Sequence, residues 1–483
     1  MKNIKSDKLS NLTATQIVEK IKNGEISCKS LVLHYISNIE KFKHKNAILE
    51  VFDDAIEQAE KIDLKQVNGE KLPSLAGLPI IIKDNILYKG KICSCGSNFM
   101  KNFKAPYNAT VIDKLLNAGV IILARSNMDE FAMGGSCENS AFGACLNAFD
   151  DKYVSGGSSG GSAVAVALDM CGAALGSDTG GSIRQPSAFN GLVGIKPTFG
   201  RVSRYGVVAY ASSFDQVSPI TKTVEDSALL LGVIAGKDLK DETSLENEVD
   251  DFPKEMKNNI KNLRIGILKE IKNLMNKTDY NEKYQAIIDW FKKQGAVISE
   301  CSVPSYELAL PVYYTLSSAE ASSNLGRFDG IKYTNRAENA DDMEQVYLKS
   351  RTEFLGKEVK RRIMFGNFVL SSGYYDAYYM KALKVRKLLK TQFDKIFEKF
   401  DVIISPTTFG EAFKLGEKVD KNPVEMYVED MFTTIANVIG NPAISVPCGT
   451  GLNGLPLGLQ IISNDLCEST LYNVADYFMK NYK

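Results

Sequence analysis

The stretch from residue 154 to 198, VSGGSSGGSAVAVALDMCGAALGSDTGGSIRQPSAFNGLVGIKPT, restricts this chain more than any other feature. It is dense in Gly, Ser and Ala. Glycine adopts backbone conformations that other residues resist, so such a stretch turns tightly and lets neighbouring elements approach closely. SAVAVA predicts a small-residue helix from about Ser162. GAALGS predicts a short strand into Ser177, then a tight glycine turn and a helix starting near Ser182. Pro186 falls early in that helix, where a missing N–H is tolerated. Strand and helix alternating in this way point to an α/β core.

The rest of the chain fits around that core. Residues 13–65 carry helical apolar spacing, as at Ile17 and Ile21. In LAGLPIIIKDNI the β-branched run after Pro79 predicts a buried strand that ends at Lys83. A helix and then a strand over 120–124 follow. LRIGILKE, AVISECSVP, DVIISPT, NPAISVP and LPLGLQIIS are strand-like. Tyr280, Tyr284, Ile287, Ile288 and Phe291 share one helix face. Residues 238–253 predict an exposed connection, 305–400 a mainly helical excursion, and 468–480 a closing helix. The division expected is an N-terminal helical segment, 1–65, packed on the core, and one large domain, 66–483.

Several function classes drop out early. A chain of 483 residues, 44% hydrophobic, can bury a large core. Lys plus Arg number 58 and Asp plus Glu 58, so there is no basic surplus of the kind that grips nucleic acid. No run reaches the roughly 18 apolar residues of a membrane span. MKNIKSDKLSNL lacks the apolar core of a signal peptide. Nine scattered cysteines without a C-x-x-C pair read as free thiols of a reducing cytoplasm. His34 and His44 are the only histidines. Their spacing gives no zinc motif, and chemistry in the middle of the chain must proceed without imidazole.

The serine cluster can then be tested against known devices. GGSSGGS has no Lys before its last Ser, so it is not a phosphate-binding P-loop. Gly156, Ser158 and Gly160 match G-x-S-x-G, but that nucleophile elbow needs a later histidine, and none follows His44. No Ser-x-x-Lys occurs. What remains is a serine activated by lysine. Free lysine, with a pKa of roughly 10.4, is protonated at neutral pH, and burial lowers that value. Lys83 ends an apolar strand, which carries its amine inward or out to water. Ser182 follows Gly180 and Gly181 and precedes a helix. It is either an N-cap or a nucleophile beside converging N–H groups that stabilise an oxyanion.

Taken together, GGSSGGSAVAVA, GSDTGGSIRQPSAFNGLVGIKPTFGRVSR and the upstream G-x-P-x-x-x-K-D of Gly77, Pro79, Lys83 and Asp84 closely resemble the amidase signature family. Ser158 and Ser182 stand 24 positions apart, as that pattern requires. FAMGGSCENSAFG, SSAEASSNLGRFDGIKY, EVKRRIMFGNFVLSSGYYDAYYMKA and GLPLGLQII extend the resemblance to the glutamine-hydrolysing A subunits of aspartyl/glutamyl-tRNA amidotransferases. It covers most of the chain from about residue 70. Gly135 stands where serine is common, and GACLNAFD where proline and tryptophan are usual.

The resemblance implies an amidase-signature α/β fold: a mixed, mostly parallel central sheet covered by helices on both faces. It implies Ser182 as the acyl nucleophile, Ser158 bridging it to Lys83 through a cis peptide after Gly157, and neutral Lys83 as the base. Backbone N–H groups of Thr179, Gly180, Gly181 and Ser182 form the implied oxyanion hole, with Asp178 and Arg184 bracing the turn. Free glutamine needs a fixed cation and a fixed anion. Arg362 is implied for its carboxylate, Asp430 for its ammonium, and Tyr313 for the pocket wall, with Arg361 and Tyr314 as adjacent alternatives. The implied activity is glutamine hydrolysis that supplies ammonia for ATP-dependent conversion of Glu-tRNA(Gln), and of Asp-tRNA(Asn) where it is made. No metal or cofactor is expected on this chain. ATP, Mg²⁺ and misacylated tRNA fall to a B subunit, while a small C subunit completes a cytoplasmic heterotrimer. The rivals are a stand-alone amidase, which apolar residues in place of Arg362 and Asp430 would favour, and a non-catalytic scaffold, against which the intact Lys83, Ser158 and Ser182 argue.

Overall fold

A computed structural model describes residues 9–276, 278, 280–418 and 423–482. The first eight residues of the predicted N-terminal segment lie outside the described residues. The strands are β1 (Ile48–Val51), β2 (Pro79–Lys83), β3 (Ile121–Ser126), β4 (Ala173–Asp178), β5 (Val193–Lys196), β6 (Gln216–Thr221), β7 (Arg264–Leu268), β8 (Val297–Cys301), β9 (Val402–Pro406), β10 (Ala443–Thr450) and β11 (Pro456–Ser463). They form one sheet in the order β1-β3-β2-β4-β6-β5-β10-β11-β9-β7-β8.

The sheet is mixed, as expected, but it is not mostly parallel. Parallel pairing is confined to two flanks, β3–β2–β4 and β9–β7–β8. The middle of the sheet and the β1 edge are antiparallel. The reason lies in the connections. Parallel neighbours need a long crossover, and helices such as Thr110–Asn117 and Gly160–Ala167 supply it around β2, β3 and β4. β10 and β11 are instead joined by a short turn, which returns the chain antiparallel.

Central strands are covered on both faces, so they read as continuous apolar runs without alternation. All five residues of β2 are buried, as are all six of β3 and of β4. Edge strand β8 is largely exposed. In register, Lys83 pairs with Ser126 of β3, and Ile82 with Leu175 of β4. The carboxyl ends of β2 and β4 therefore open at the same edge, the place where open α/β sheets bind ligands.

The N-terminal segment is more than helices packed on the core. Ala14–Lys22 opens with a Thr13/Gln16 capping box and buries Ala14, Ile17, Val18 and Ile21. Cys28–Lys41 and Ala55–Val67 follow. Between them Ile48–Val51 adds an edge strand antiparallel to β3, inside a stretch predicted to be helical. The excursion after residue 305 is helical as expected: Ala309–Asn324, Met343–Phe354, Lys357–Leu370 and Lys381–Phe397. Among the described residues no helix is long and apolar enough to cross a membrane.

Candidate active site

Lys83 is carried inward, not out to water. It ends β2 with no exposed surface, and its Nζ reaches Ser158 Oγ at 2.7 Å, Ser177 Oγ at 2.9 Å and the Ser177 carbonyl at 3.3 Å. Burial lowers its pKa to about 8 against the opposing pull of Asp129, Cys137, Asp178 and Asp215. A neutral amine is thus accessible close to physiological pH.

Ser158 is buried at the second position of the cis Gly157–Ser158 peptide. Its loop is pinned on several sides. Gly157 N–H donates to Gln185 Oε1 at 2.9 Å, Ser159 N–H to the Ser182 carbonyl at 3.2 Å, and Asp129 N–H to the Ser158 carbonyl at 3.3 Å. Asp129 in turn accepts from Cys137 N–H (2.9 Å) and Asn139 N–H (3.1 Å). Its carboxyl is raised to about 6 by burial, which those two donors and Lys83 oppose.

Ser182 lies on the turn between β4 and the Arg184–Phe189 helix. It is 8% exposed, against none for Ser158 and Lys83, which is what a group meeting a ligand requires. Lys83 and Ser158 are in contact, whereas the Ser182 hydroxyl makes no hydrogen bond among the described residues. Catalytic hydrogen bonds in ligand-free sites are commonly loose. The turn is anchored by a fully buried, bidentate pair: Arg184 Nε and Nη2 donate to the two Asp178 oxygens at 3.0 Å each. Burial pushes the Asp178 carboxyl up, but Arg184 and Asn437 prevail and hold it at about 2. Arg184 also donates to Gln460, Asn437 and the Thr433 carbonyl.

Of the four implied oxyanion donors, Gly181 is already committed: its N–H donates to Asp178 at 2.9 Å. The N–H groups of Thr179, Gly180 and Ser182 have no acceptor among the described residues. Gly181 needs to be glycine, since its φ is +132° and a Cβ there would lie 2.3 Å from Thr433 Oγ1. Asp215 braces the turn from behind by accepting from Thr179 Oγ1 at 2.7 Å.

Beside this turn is a cavity of about 110 Å³, walled by Gly134, Gly135, Tyr314, Arg362, Tyr427 and Asp430 among others. It is far below the roughly 300–1,000 Å³ of sites for drug-sized ligands, so it suits a small molecule. Arg362 and Asp430, implied as the fixed cation and anion, share this cavity. Arg362 is buried whereas Arg361 is half exposed at the rim. Its Nε donates to Glu358 at 2.6 Å and its Nη1 to Tyr210 Oη at 2.7 Å, and its guanidinium lies against the rings of Tyr314 and Tyr427. Nη2 makes no hydrogen bond among the described residues. Asp430 accepts from Tyr314 Oη at 2.5 Å. Desolvation raises its carboxyl to about 7, against the pull of Tyr314 and Arg362.

Tyr313 stands at the reacting turn. Its ring packs against Gly180, where a Cβ would lie 2.4 Å away, and edge-on to Phe214. Its neighbour Tyr314 lines the cavity. On the helix Ala309–Asn324 adjacent residues point about 100° apart, so one of the pair faces the reacting turn and the other the pocket. Sequence reasoning missed Ser177, Tyr210, Gln185 and Glu358. Only Glu358 left a trace, its i, i+4 spacing to Arg362.

Comparison with known proteins gives the family. The Amidase family profile matches residues 30–472. The chain is similar to the A subunit of the glutamyl-tRNA(Gln) amidotransferase of Caldanaerobacter subterraneus subsp. tengcongensis, 50% identical with 98% of this chain and 97% of that one covered. It is 49% identical to the protein of the same name from Thermoanaerobacter pseudethanolicus, covering 97% and 96%. Among solved structures it resembles the A subunit of the glutamyl-tRNA(Gln) amidotransferase of Thermotoga maritima, with TM-score 0.77, 34% identity and 99% and 95% covered. It also resembles the native peptide amidase of Stenotrophomonas maltophilia, with TM-score 0.82, 25% identity and 98% and 97% covered. A profile matched across most of the chain, and half-identical relatives spanning nearly all of it, leave one conclusion: the chain belongs to the amidase family.

Proposed function

We propose that this chain is the glutamine-hydrolysing subunit of a glutamyl-tRNA(Gln) amidotransferase. Ser182 Oγ attacks the side-chain amide carbon of glutamine while its proton passes through Ser158 to neutral Lys83. The N–H groups of Thr179, Gly180 and Ser182 receive the negative oxygen of the tetrahedral intermediate. Collapse breaks the C–N bond, and the proton held by Lys83 leaves with the nitrogen as ammonia. Water, deprotonated through the same relay, then cleaves the glutamyl ester to release glutamate and restore Ser182. Arg362 holds the α-carboxylate through its uncommitted Nη2 edge, and Asp430 holds the α-ammonium. Activation of the tRNA-bound carboxylate needs ATP and Mg²⁺, which fall to a partner B subunit, with a small C subunit completing a cytoplasmic heterotrimer.

The observation that carries this reading is the contact of Lys83 with Ser158 together with a small neighbouring cavity lined by both Arg362 and Asp430. A peptide amidase has no need of that charge pair, whereas a site for a free amino acid amide does. Incubation with a reactive glutamine analogue should leave an adduct that peptide mass mapping places on Ser182. An adduct on Cys171 or Ser159 with Ser182 unmodified would sink the assignment.

A further inference from the structure

The turn after Asp129 touches both halves of the site. Asp129 N–H holds the Ser158 carbonyl, and the next residue, Glu130, points the other way. Glu130 is almost wholly buried. One of its oxygens accepts from Ser97 Oγ, and Oε2 accepts from Gly356 N–H at 2.7 Å. Gly356 is the N-cap of Lys357–Leu370, the helix that carries Glu358 and Arg362, and no side chain of that helix caps it. Phe99 stacks on Phe354 at 6.0 Å, so segment 97–99 also meets the chain just before Gly356.

Glu130 and Gly356 are matched. A Cβ at Gly356 would lie 2.2 Å from Glu130 Oε2, so a larger residue there displaces the carboxylate from its contact. A helix N-terminus carries unsatisfied N–H groups and a partial positive charge, and a carboxylate there is favourable. The contact therefore fixes where the helix begins. Arg362 lies six residues further on, about 9 Å along the axis at 1.5 Å per residue. Glu358, in the first turn, already holds Arg362 Nε at 2.6 Å. A shift of that turn displaces Glu358 and Arg362 together.

We propose that Glu130 is a positioning residue for substrate recognition: by docking the start of the Lys357–Leu370 helix on the turn that holds Ser158, it sets the distance between Arg362 and the reacting serines. This rests on the reading of Arg362 as the α-carboxylate site. Glu130 touches neither the substrate nor the triad side chains, so its removal acts on glutamine binding and spares amides that lack an α-carboxylate.

The test uses the full chain with Glu130→Ala, Glu130→Gln, Gly356→Ala and Arg362→Ala, assayed on glutamine and on a neutral aliphatic amide, with circular dichroism to verify folding. Glu130→Ala and Gly356→Ala should each raise KM for glutamine at least fivefold, with kcat and neutral-amide kcat/KM within twofold of the parent. The milder Glu130→Gln keeps an acceptor oxygen and the side-chain size, so it remains informative if the alanine variant does not fold. It should raise KM two- to threefold. Combining Glu130→Ala with Arg362→Ala should add little to Arg362→Ala alone, because both act on one interaction. An unchanged glutamine KM in folded Glu130 variants overturns the proposal, as does a parallel loss on both substrates. If Arg362→Ala itself leaves KM unchanged, the carboxylate reading fails, and the Glu130 results then report only on the fold.

Discussion

Lys83 shows what a single residue demands of its surroundings. A base must be neutral, and only burial on every side brings a lysine down to about 8. The glutaminase kcat/KM should therefore climb with pH along a limb centred near 8, since the amine is active only above its pKa. Lys83→Arg preserves the charge but cannot deprotonate. It should stay folded and lose at least about a hundredfold in kcat, within the range typical of acid–base groups. Near-normal turnover would show that charge alone is required. Asp430 has the opposite sign. Its carboxyl, raised to about 7, is charged above that value and increasingly neutral below it, so KM for glutamine should rise as pH falls below 7. Asp430→Asn should abolish that limb and raise KM at all pH values. Lys83, Ser158 and Ser182 were singled out through the family resemblance, by the 24-residue spacing of the two serines and the G-x-P-x-x-x-K-D element. Ser177 was not, because a serine inside a strand carries no spacing signal, although it contacts the same amine.

At the scale of elements, burial alone did not decide legibility: β5 and β6 are fully buried and went unread, whereas largely exposed β8 was read. β2, β4, β9 and β11 are covered on both faces, and their unbroken apolar runs announce them. β1 is a four-residue edge strand lying between two helices, with little pattern of its own. β5 is as short, and β6 contains Pro219, which speaks against a central strand. These strands pair antiparallel in the middle of the sheet or at its edge, which is where the expected mostly parallel arrangement fails. The turn between β4 and the Arg184–Phe189 helix depends on a pair that no single element supplies. Arg184→Ala leaves the Asp178 carboxylate buried without its cation, a change that costs about 3–5 kcal/mol. Denaturant titration should show that loss, together with collapse of glutaminase activity. Because Asp178 is held below its unfolded value, its contribution is present above roughly pH 4 and lost as the pH falls towards 2. Parent and Arg184→Ala should therefore converge in stability on strong acidification.

For the whole molecule, the proposed function divides labour between chains. The fold brings an amidase relay and a charge-paired cavity to one edge of the sheet, while the chain's net charge is zero and it lacks the P-loop motif. A protein that only releases ammonia has no need of its triad once ammonia is supplied. Ser182→Ala, assembled with B and C subunits and given misacylated tRNA, ATP and Mg²⁺, should form negligible amidated tRNA from glutamine. Concentrated ammonium at mildly alkaline pH should restore much of the product, because free ammonia then enters the accepting site directly. The parent complex under the same ammonium condition is the reference, and it also controls for loss of assembly. If ammonium supports the parent but not the mutant, Ser182 does more than release ammonia, and a structural coupling between the two active sites must be sought. If the parent complex shows no partner-dependent amidation even with glutamine, the chain acts as an amidase alone, and the pairing of Arg362 with Asp430 serves free glutamine for its own sake.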